Sequence, residues 1–297
     1  MEKIIDLHIH SNLSDGFLSP KEIIDTAYNN GVSVISICDH DTTEAYTQEL
    51  FDYADSKKIK IIKGVEISTK TKKAGVHVLG YNYDLNIEEL KSKLFSLRNA
   101  RHNYLFNVSN KLNKLGYIVN INELDKIDAV TKAHIANDVI NNPLNKNLLI
   151  HTFSYIPNKG EFIETIMNEG CPAYVKKESI SPKEAATLIR NANGLVILAH
   201  PVAYKYEDNL KDEEILELIK DINADGIESN YIYIDKFNNT INEIDKWNNF
   251  AKENNLITTI GSDFHNKDNI HPEIGLINKN INISQKEIDS IINNLID

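Results

Sequence analysis

The sequence predicts an α/β fold, either an α/β barrel or a wound sheet, and two nearly identical helix starts are the first reason. Ser19-Pro20-Lys21-Glu22 and Ser181-Pro182-Lys183-Glu184 each provide an N-cap serine, a proline at the first helical position and a glutamate at the third. Gly31 and Gly194 follow these helices and are predicted to be C′ glycines. An apolar strand follows each glycine directly, so the repeating unit is a helix that leads into a buried strand.

The spacing of the polar residues that end these strands is the second reason. His8 and His40 are 32 residues apart, and His40 and Glu66 are 26 apart. Both separations are close to the roughly 30 residues of a βα unit. Only 11 residues separate Glu66 from His77, which is too few for a helical crossover, so residues 69–75 are predicted to form a solvated turn. Seven strands are predicted in all, ending near positions 10, 40, 66, 80, 200, 230 and 263.

The long interval between His77 and His200 predicts an insertion. Leucines and other apolar residues recur every three or four positions from Leu90 to Leu115 and stop at Gly116, which is typical of a helix. We expect residues 1–91 and 171–297 to form the main α/β domain and residues 92–170 to form an inserted, mainly helical subdomain. Inserts at the ligand-bearing end of a barrel often cover the site, so a lid is expected. The last helix is predicted from Ser284 to Leu295.

Composition and charge narrow the function. The chain of 297 residues has a formal net charge of −11, which argues against a broad surface for long nucleic acid but not against small nucleotides. It contains no apolar run of the roughly 20 residues that a membrane helix needs, and no signal-peptide pattern, so we expect a cytoplasmic protein without a membrane partner. Cys38 and Cys171 are expected to be free thiols rather than a disulfide. The oligomeric state is not predicted.

Residues of metal-ligand type end most of the apolar runs. His8 and His10 are two apart, and residues i and i+2 of a strand project from the same face. Histidines and carboxylates without thiolates suit Mn²⁺, Zn²⁺ or Fe²⁺. Nine candidates exceed the four ligands of a structural zinc site, so two or three divalent metals are predicted. The candidate metal ligands, which are also the candidate catalytic residues, are His8, His10, Asp15, His40, Glu66, His77, His200, Asp263 and His265.

Such a centre favours metal-assisted hydrolysis, because closely spaced metals stabilise the attacking and leaving oxygens of a phosphoryl transfer and activate water near neutral pH. We find no Gly-rich phosphate loop and no nucleophile motif that would indicate another mechanism. Taken singly, some candidates have ordinary interpretations. His77 would more commonly be a core histidine, and Ser14-Asp15-Gly16 is a common turn sequence. The joint set favours ligation.

Seven motifs along the chain together resemble the polymerase-and-histidinol-phosphatase (PHP) family. They are Asp6-Leu7-His8-Ile9-His10-Ser11, Ser14-Asp15-Gly16, Asp39-His40-Asp41-Thr42, Gly64-Val65-Glu66, His77-Val78-Leu79-Gly80-Tyr81, Ala199-His200-Pro201 and Gly261-Ser262-Asp263-Phe264-His265. The resemblance implies a distorted seven-stranded (β/α) barrel and a metal-dependent phosphoesterase.

The resemblance also implies three sets of ligands. The first metal would use His8, His10, Glu66 and Asp263, the second Glu66, His77 and His200, and the third Asp15, His40 and His265. Asp39 and Asp41 are expected to orient ligands or cap a turn, and a role as leaving-group acid stays open. Glu228 and Asn230 are expected to face the site without binding metal.

The insert resembles that of phosphoesterases acting on nucleotides, including nucleoside 3′,5′-bisphosphate phosphatases and enzymes that trim the 5′ ends of short RNA. The motif is Ala129-Val130-Thr131-Lys132-Ala133-His134-Ile135-Ala136, where Arg-Pro-His-Ile-Ala is usual. Lys132 and His134 are therefore candidate substrate-binding residues, and the expected partner is a small phosphorylated substrate, a nucleotide. Lysine in place of arginine still binds phosphate but loses the bidentate geometry.

Three alternatives stay open. The chain could be a phosphatase for histidinol phosphate or another small metabolite, although the long insert argues against it. It could be a non-catalytic metal-binding PHP domain, against which the complete ligand set argues. Metal-dependent hydrolysis of C–N bonds occurs in similar barrels, but no lysine is placed to serve as a carbamate ligand.

Overall fold

The computed structural model describes residues 3–125, 127, 130–176, 179–235, 239–267, 272–277, 281 and 283–296. The strands are β1 (Ile4–Ile9), β2 (Val32–Ile37), β3 (Lys60–Ile61), β4 (Gly64–Lys70), β5 (Gly75–Tyr81), β6 (Leu195–Leu198), β7 (Gly226–Asn230), β8 (Tyr233–Ile234), β9 (Thr240–Ile241) and β10 (Ile257–Ile260). The α-helices are α1 (Pro20–Asn29), α2 (Gln48–Ser56), α3 (Glu88–Lys114), α4 (Ile121–Leu124), α5 (Lys132–Asn141), α6 (Lys146–Phe153), α7 (Lys159–Phe162), α8 (Pro182–Asn191), α9 (Pro201–Glu207), α10 (Asp212–Asp221), α11 (Ile244–Glu253) and α12 (Gln285–Ile296).

The described strands form two main sheets, the first built from parallel pairs and the second from two parallel and two antiparallel pairs. The first has the order β1-β2-β3, and the second has the order β10-β7-β6-β5-β4. Two isolated parallel bridges, Ile9 with Phe264 and His40 with Glu66, connect the sheets at the level of the predicted ligands. The short strands β8 and β9 form a separate hairpin. The fold is therefore mixed α/β, as expected, and closure into a seven-stranded barrel stays a prediction.

One strand runs against its neighbours. β5 is antiparallel to both β4 and β6, because the turn that joins β4 to β5 has no room for a helical crossover. The turn is shorter than the predicted residues 69–75, since β4 continues to Lys70 and β5 begins at Gly75. Across it, Thr71 N and Oγ1 donate to Ala74 O, and Thr71 Oγ1 accepts from Ala74 N. The predicted strand that ends near position 66 is two strands, β3 and β4, in different sheets.

The helix starts that predicted the α/β class are confirmed. In α1 the Ser19 side chain accepts from Glu22 N while Glu22 accepts from Ser19 N, and Ser181 and Glu184 repeat this capping box in α8. Gly31 has φ of +76° and ends α1 as predicted. The prediction for Gly194 is wrong, since Asn193 takes the left-handed conformation after α8, with φ of +58°. Gly194 is needed for space instead: a Cβ there would lie 2.9 Å from atoms of Ile189 and Tyr83.

The chain divides into two compact units. Met1–Leu94 with Ser179–Asp297 form one unit, and Phe95–Glu178 form the other. The second unit is mainly helical and has a core of its own, which includes Leu105, Leu112, Ile135 and Phe162. Gly116, with φ of +92°, follows the long helix α3 as predicted. The boundaries at 92 and 170 and the role of the insert as a lid stay predictions.

Candidate metal centre

Strand β1 places two imidazoles side by side. His8 in β1 and His10, which directly follows β1, are completely buried and alternate with the core residues Leu7 and Ile9. Alternation puts both imidazoles on one face, and their Nε2 atoms lie 3.1 Å apart. The first pair of candidate ligands therefore comes from a rigid element of the fold.

Two carboxylates complete a group of four donor atoms around this pair. Glu66 Oε2 lies 3.3 Å from His8 Nε2 and 3.2 Å from His10 Nε2. Asp263 Oδ1 lies 3.5 Å from His8 Nε2 and 3.1 Å from His10 Nε2. A tetrahedral metal with ligands at about 2.1 Å has ligand atoms about 3.4 Å from one another. Separations of 3.1 to 3.5 Å therefore fit one divalent ion, and the four residues are the first predicted set.

A second group lies on the other nitrogen of His10. Asp15 Oδ1 lies 3.4 Å from His10 Nδ1 and 3.4 Å from His265 Nε2, and Asp15 Oδ2 lies 3.7 Å from His40 Nε2. The rings of His10 and His265 stack with centroids 4.2 Å apart. Asp15, His40 and His265 were predicted to act together, and the structure adds His10 to their group.

The remaining two histidines meet the second oxygen of Glu66. His77 Nδ1 lies 2.9 Å and His200 Nε2 lies 3.2 Å from Glu66 Oε1, while His40 Nδ1 lies 3.3 Å from Oε2. His77 is near the beginning of β5, yet it reaches the site because β5 runs antiparallel to its neighbours. The predicted second set was Glu66, His77 and His200, but the structure groups His77 with Glu66 and His40, and His200 belongs to none of the three groups among the described residues. Glu66 is thus central to two groups, as a bridging carboxylate would be.

Three buried ring nitrogens support the presence of cations. His10 Nδ1, His77 Nδ1 and His200 Nδ1 form no hydrogen bond among the described residues, because the carboxylate oxygens 3.4 Å from the first and 2.9 Å from the second lie at angles that do not make one. Unpaired buried polar atoms are costly, so such a concentration at one place indicates a missing ligand. The set of donor atoms fits divalent metals. Without a cation, hydrogen bonds among these residues would leave several acceptor lone pairs facing one another.

Charge interactions within the cluster favour ionised carboxylates. Burial raises the pKa of Glu66, but the imidazoles of His77, His40 and His8 outweigh it and lower that pKa well below its usual value. The pKa of Asp263 is lowered in the same way against its burial, chiefly by His8 and His265. Although burial lowers the pKa of His8, the carboxylates around it raise that pKa well above its usual value. Metal binding would therefore displace protons from the imidazoles.

Glu228 holds two of the histidines from behind. Its carboxylate lies 3.0 Å from His8 Nδ1 and accepts a hydrogen bond of 3.0 Å from the backbone N–H of His200. Glu228 is 1% exposed and belongs to none of the candidate metal groups. A carboxylate on the far nitrogen of a ligating histidine fixes its tautomer and orientation. Its position matches the expectation that Glu228 faces the site without binding metal.

Other side chains fix the loops that carry the ligands. Asp39 accepts hydrogen bonds from the backbone N–H and hydroxyl of Ser11 and from the hydroxyl of Ser14, which anchors the loop that leads to Asp15. Asp41 accepts from the backbone N–H of Ser68. Both therefore orient loops, as expected from the sequence.

Two tyrosines of the site were not identified from the sequence. The Tyr231 hydroxyl donates to Asp263 Oδ2 at 3.1 Å. The Tyr204 hydroxyl accepts from His77 N and donates to His77 O. Only the packing of separate elements places these two tyrosines at the site, and the sequence alone does not show that packing. Tyr204 does follow His200 by four residues, one helical turn along α9.

The backbone is strained where two candidate ligands leave their strands. Asp263 has φ of +54° and His200 has φ of +24°, and neither is a glycine. Such conformations cost of order 1–3 kcal/mol each and concentrate at functional sites. The strain lies directly at the ends of β6 and β10, where each side chain must turn toward Glu66.

The candidate metal groups open into a cavity of about 220 Å³. It is lined by His40, Glu66, His77, His200, Ala203, Glu207, Tyr231, Tyr233, Ile234, Asp263 and His265. A larger cavity of about 1210 Å³ lies elsewhere, between α11, β10 and α12, and none of the nine predicted ligands lines it. The donor geometry, rather than size, therefore identifies the site.

The two predicted substrate-binding residues lie in the first turn of α5. Lys132 Nζ donates to Asn168 Oδ1 at 3.0 Å, and His134 forms a capping box with Thr131. Ala129, the first residue of the insert motif, lies outside the described residues. Contact of Lys132 and His134 with substrate stays a prediction.

Comparison with known proteins decides the family. The model of the PHP domain matches residues 6–257, which include seven of the nine candidate ligands and all but the last motif. The chain belongs to the PHP domain family. The resemblance seen in the sequence is thereby confirmed, and so is the expected enzyme class, a metal-dependent phosphoesterase.

Two relatives and one solved structure are similar to this chain. A protein of Haemophilus influenzae named 5′-3′ exoribonuclease is 33% identical over 271 residues, which cover 89% of this chain and 91% of the relative. The 3′,5′-nucleoside bisphosphate phosphatase of Chromobacterium violaceum is 27% identical, with coverage of 88% and 87%. The structure assigned to a metal-dependent phosphoesterase of Bifidobacterium adolescentis matches with a TM-score of 0.69 at 20% identity, covering 99% of this chain and 97% of that one.

Among the helices that the structure describes, none is both long and apolar enough to span a bilayer.

One of the two relatives is named as an exoribonuclease and the other as a phosphatase of a small nucleotide, so the expectation of a small nucleotide substrate stays a prediction.

Proposed function

We propose that this PHP phosphoesterase hydrolyses phosphate monoesters of small nucleotides, for example a nucleoside 3′,5′-bisphosphate to the nucleoside 5′-monophosphate. The observation that supports it most is the shared position of Glu66, which contacts five histidines through its two oxygens. Such an arrangement suits a phosphoryl group held between neighbouring metals. The similarity to a bisphosphate phosphatase supports the substrate class.

Two or three divalent metals, Mn²⁺, Zn²⁺ or Fe²⁺, are proposed for the three ligand groups. His8, His10, Glu66 and Asp263 would hold one, and the groups around Asp15 and around His77 would hold the others. When bound, these ions supply an activated water and neutralise the phosphoryl oxygens and the leaving oxygen.

The exposure of the ligands indicates the side from which substrate enters. The side chains of His8, His10 and Glu66 are at most 1% exposed, so they can hold metal but not touch a diffusing substrate. Those of His77, Asp15 and His265 are 32%, 25% and 21% exposed. The reacting phosphate is therefore proposed to approach between these three residues. Lys132 and His134 of the insert motif are proposed to contact a phosphate as well.

A second candidate is the release of nucleotides from the 5′ end of short RNA. It is favoured by the 33% identity to the 5′-3′ exoribonuclease of Haemophilus influenzae. The reaction would cleave a diester rather than a monoester, with the same metals and ligands. The net charge of −11 opposes extended contact with long RNA, so this activity would be confined to short chains.

The test is hydrolysis by purified, Mn²⁺-loaded protein of adenosine 3′,5′-bisphosphate, AMP, histidinol phosphate and a short 5′-phosphorylated RNA. His8→Ala removes a buried candidate ligand, and His151→Ala, an exposed histidine of α6, is the matched control. We expect phosphate release from the bisphosphate, lost in His8→Ala and kept in His151→Ala. Nucleotide release from RNA without phosphate release from the bisphosphate would establish the second candidate. Selective turnover of histidinol phosphate would refute both.

A further inference from the structure

One wall of the cavity carries no candidate metal ligand and differs in chemistry from the rest. Glu207 ends α9, and Tyr233 and Ile234 form β8, and all three line the cavity that the ligands open into. The wall therefore combines an aromatic ring, an aliphatic side chain and a carboxylate. A phosphate ester bound at the metals would direct its organic part toward some wall of this cavity.

The Tyr233 ring packs on a second tyrosine beside the Glu207 carboxylate. Burial and this carboxylate raise the pKa of Tyr233 to about 12. Its ring stacks on Tyr206, with centroids 5.9 Å apart and planes 22° from parallel. Tyr206 is itself fixed, since its hydroxyl donates to Glu243 at 2.7 Å. The wall therefore presents an aromatic ring that is ordered before substrate binds.

The charge of this wall restricts what can lie against it. None of the described residues that line the cavity is lysine or arginine. The positive charge for a phosphate must come from the metal groups, and a second phosphate against Glu207 would meet a carboxylate. Hydroxyl and amine groups are favoured there instead, because a carboxylate accepts strong charge-assisted hydrogen bonds. A planar base is favoured by Tyr233, since aromatic rings stack on any nucleobase.

We propose that Glu207 and Tyr233 form the subsite for the nucleoside part of the substrate, with Glu207 accepting from its hydroxyl or amine groups and Tyr233 packing against its base. Glu207 also selects against leaving groups that carry negative charge at this wall. In a 3′,5′-bisphosphate, the phosphate that is not cleaved therefore lies away from Glu207. The identity of the ligand as a nucleoside rests on the proposed function. The preference for hydrogen-bond donors over anions follows from the Glu207 carboxylate in the wall.

The experiment compares leaving groups rather than one substrate. Values of kcat/KM are measured for adenosine 3′-monophosphate, ribose 5-phosphate, phenyl phosphate and 4-carboxyphenyl phosphate. The variants are Glu207→Gln, Tyr233→Leu and Tyr233→Phe, and Glu213→Gln, an exposed glutamate of α10 that does not line the cavity, is the matched control. Binding of adenosine to the metal-free protein, observed by ligand NMR, gives a readout that is independent of turnover.

We expect Glu207→Gln to lower kcat/KM for ribose 5-phosphate about tenfold relative to phenyl phosphate, mainly through KM, since one charge-assisted bond is lost. The same variant should raise kcat/KM for 4-carboxyphenyl phosphate severalfold. Tyr233→Leu should lower kcat/KM for adenosine 3′-monophosphate about tenfold and weaken adenosine binding, whereas Tyr233→Phe should retain the stacking.

An equal effect of Glu207→Gln on all four esters would overturn the inference, as would unchanged adenosine binding in Tyr233→Leu. Failure of the proposed function gives a different result. The wild type would then hydrolyse phenyl phosphate but no nucleotide, and the pair of aryl phosphates would still decide the role of Glu207. If no ester is hydrolysed, adenosine binding decides the role of Tyr233.

Discussion

Glu228→Gln removes one negative charge from behind the metal centre without changing the size of the side chain. In the native protein both carboxylate oxygens are used, with Oε1 3.0 Å from His8 Nδ1 and Oε2 3.0 Å from His200 N. A glutamine has one acceptor oxygen and one NH₂ donor. The NH₂ group of the glutamine must therefore face either His8 Nδ1 or the backbone N–H of His200, so one of the two contacts sets a donor against a donor or is lost.

The expected effect falls on metal affinity. Mutation of a hydrogen-bond partner behind a ligating histidine typically costs 10–100-fold in metal affinity or activity. Since Glu228 is 1% exposed, water cannot replace the lost bond, and we expect about 100-fold for the first metal, equivalent to about 2.8 kcal/mol. His8 contacts Glu66 and Asp263 on its other nitrogen, so its misorientation affects the whole first group.

The assay is competition for Zn²⁺ or Mn²⁺ with a chromophoric chelator, with far-UV circular dichroism to verify folding. Glu213→Gln, which changes the same residue type at the surface, should bind metal as the wild type does. A dissociation constant within twofold of the wild type in folded Glu228→Gln would refute the reasoning, because Glu228 would then neither orient His8 nor support its charge.

Three further outcomes are expected. Chelation should abolish turnover and lower the thermal unfolding midpoint, since folded protein alone holds the assembled ligands; an unchanged midpoint would show that the site binds no metal. Gly261→Ala should destabilise by roughly 1–3 kcal/mol in urea unfolding, because its Cβ would lie 2.2 Å from His8 Cβ, and wild-type stability would contradict this crowding. Ser181→Ala should cost about 1 kcal/mol near pH 7. The backbone N–H and the hydroxyl of Ser181 lower the pKa of Glu184, and the variant removes only the hydroxyl. The part of the loss that comes from the hydroxyl–carboxylate bond is present above the unfolded-state pKa near 4.5 and disappears as the pH falls through the lower folded-state value, whereas the N-cap bond to Glu184 N does not depend on pH. The loss should therefore be smaller at pH 3 than at pH 7, and an equal loss would contradict this.

The features that could be predicted from the sequence are those set by neighbouring residues. The positions of His8 and His10 on one face of β1 follow from two-residue alternation, and the capping box at Ser181 follows from four consecutive residues. The grouping of Asp15, His40 and His265 could be predicted only from the resemblance to a family, because no local pattern brings three separate segments of the chain together.

The features that could not be predicted depend on distant parts of the chain. The left-handed residue after α8 is Asn193 rather than Gly194. Gly194 is required for space instead, because a Cβ there would lie 2.9 Å from Tyr83, more than 100 residues earlier. The contact of Tyr231 with Asp263 depends on how β7 and β10 pair. The short connection before β5 implied the antiparallel direction of this strand. The sheet order was needed to show that this direction brings His77 to the site.

The bridge between Ile9 and Phe264 means that the first and last strands of the sheets meet. Ser262, beside the candidate ligand Asp263, hydrogen-bonds to His8 O across 254 positions of the chain. A ribosome adds roughly 5–20 residues per second, so Asp263 is synthesised roughly 13–50 s after His8. During that time the nascent chain contains His8, His10 and Glu66 but not the fourth member of the first group. That group is therefore complete only when almost the whole chain has been made, and a metal bound earlier by the two imidazoles would have an incomplete ligand set.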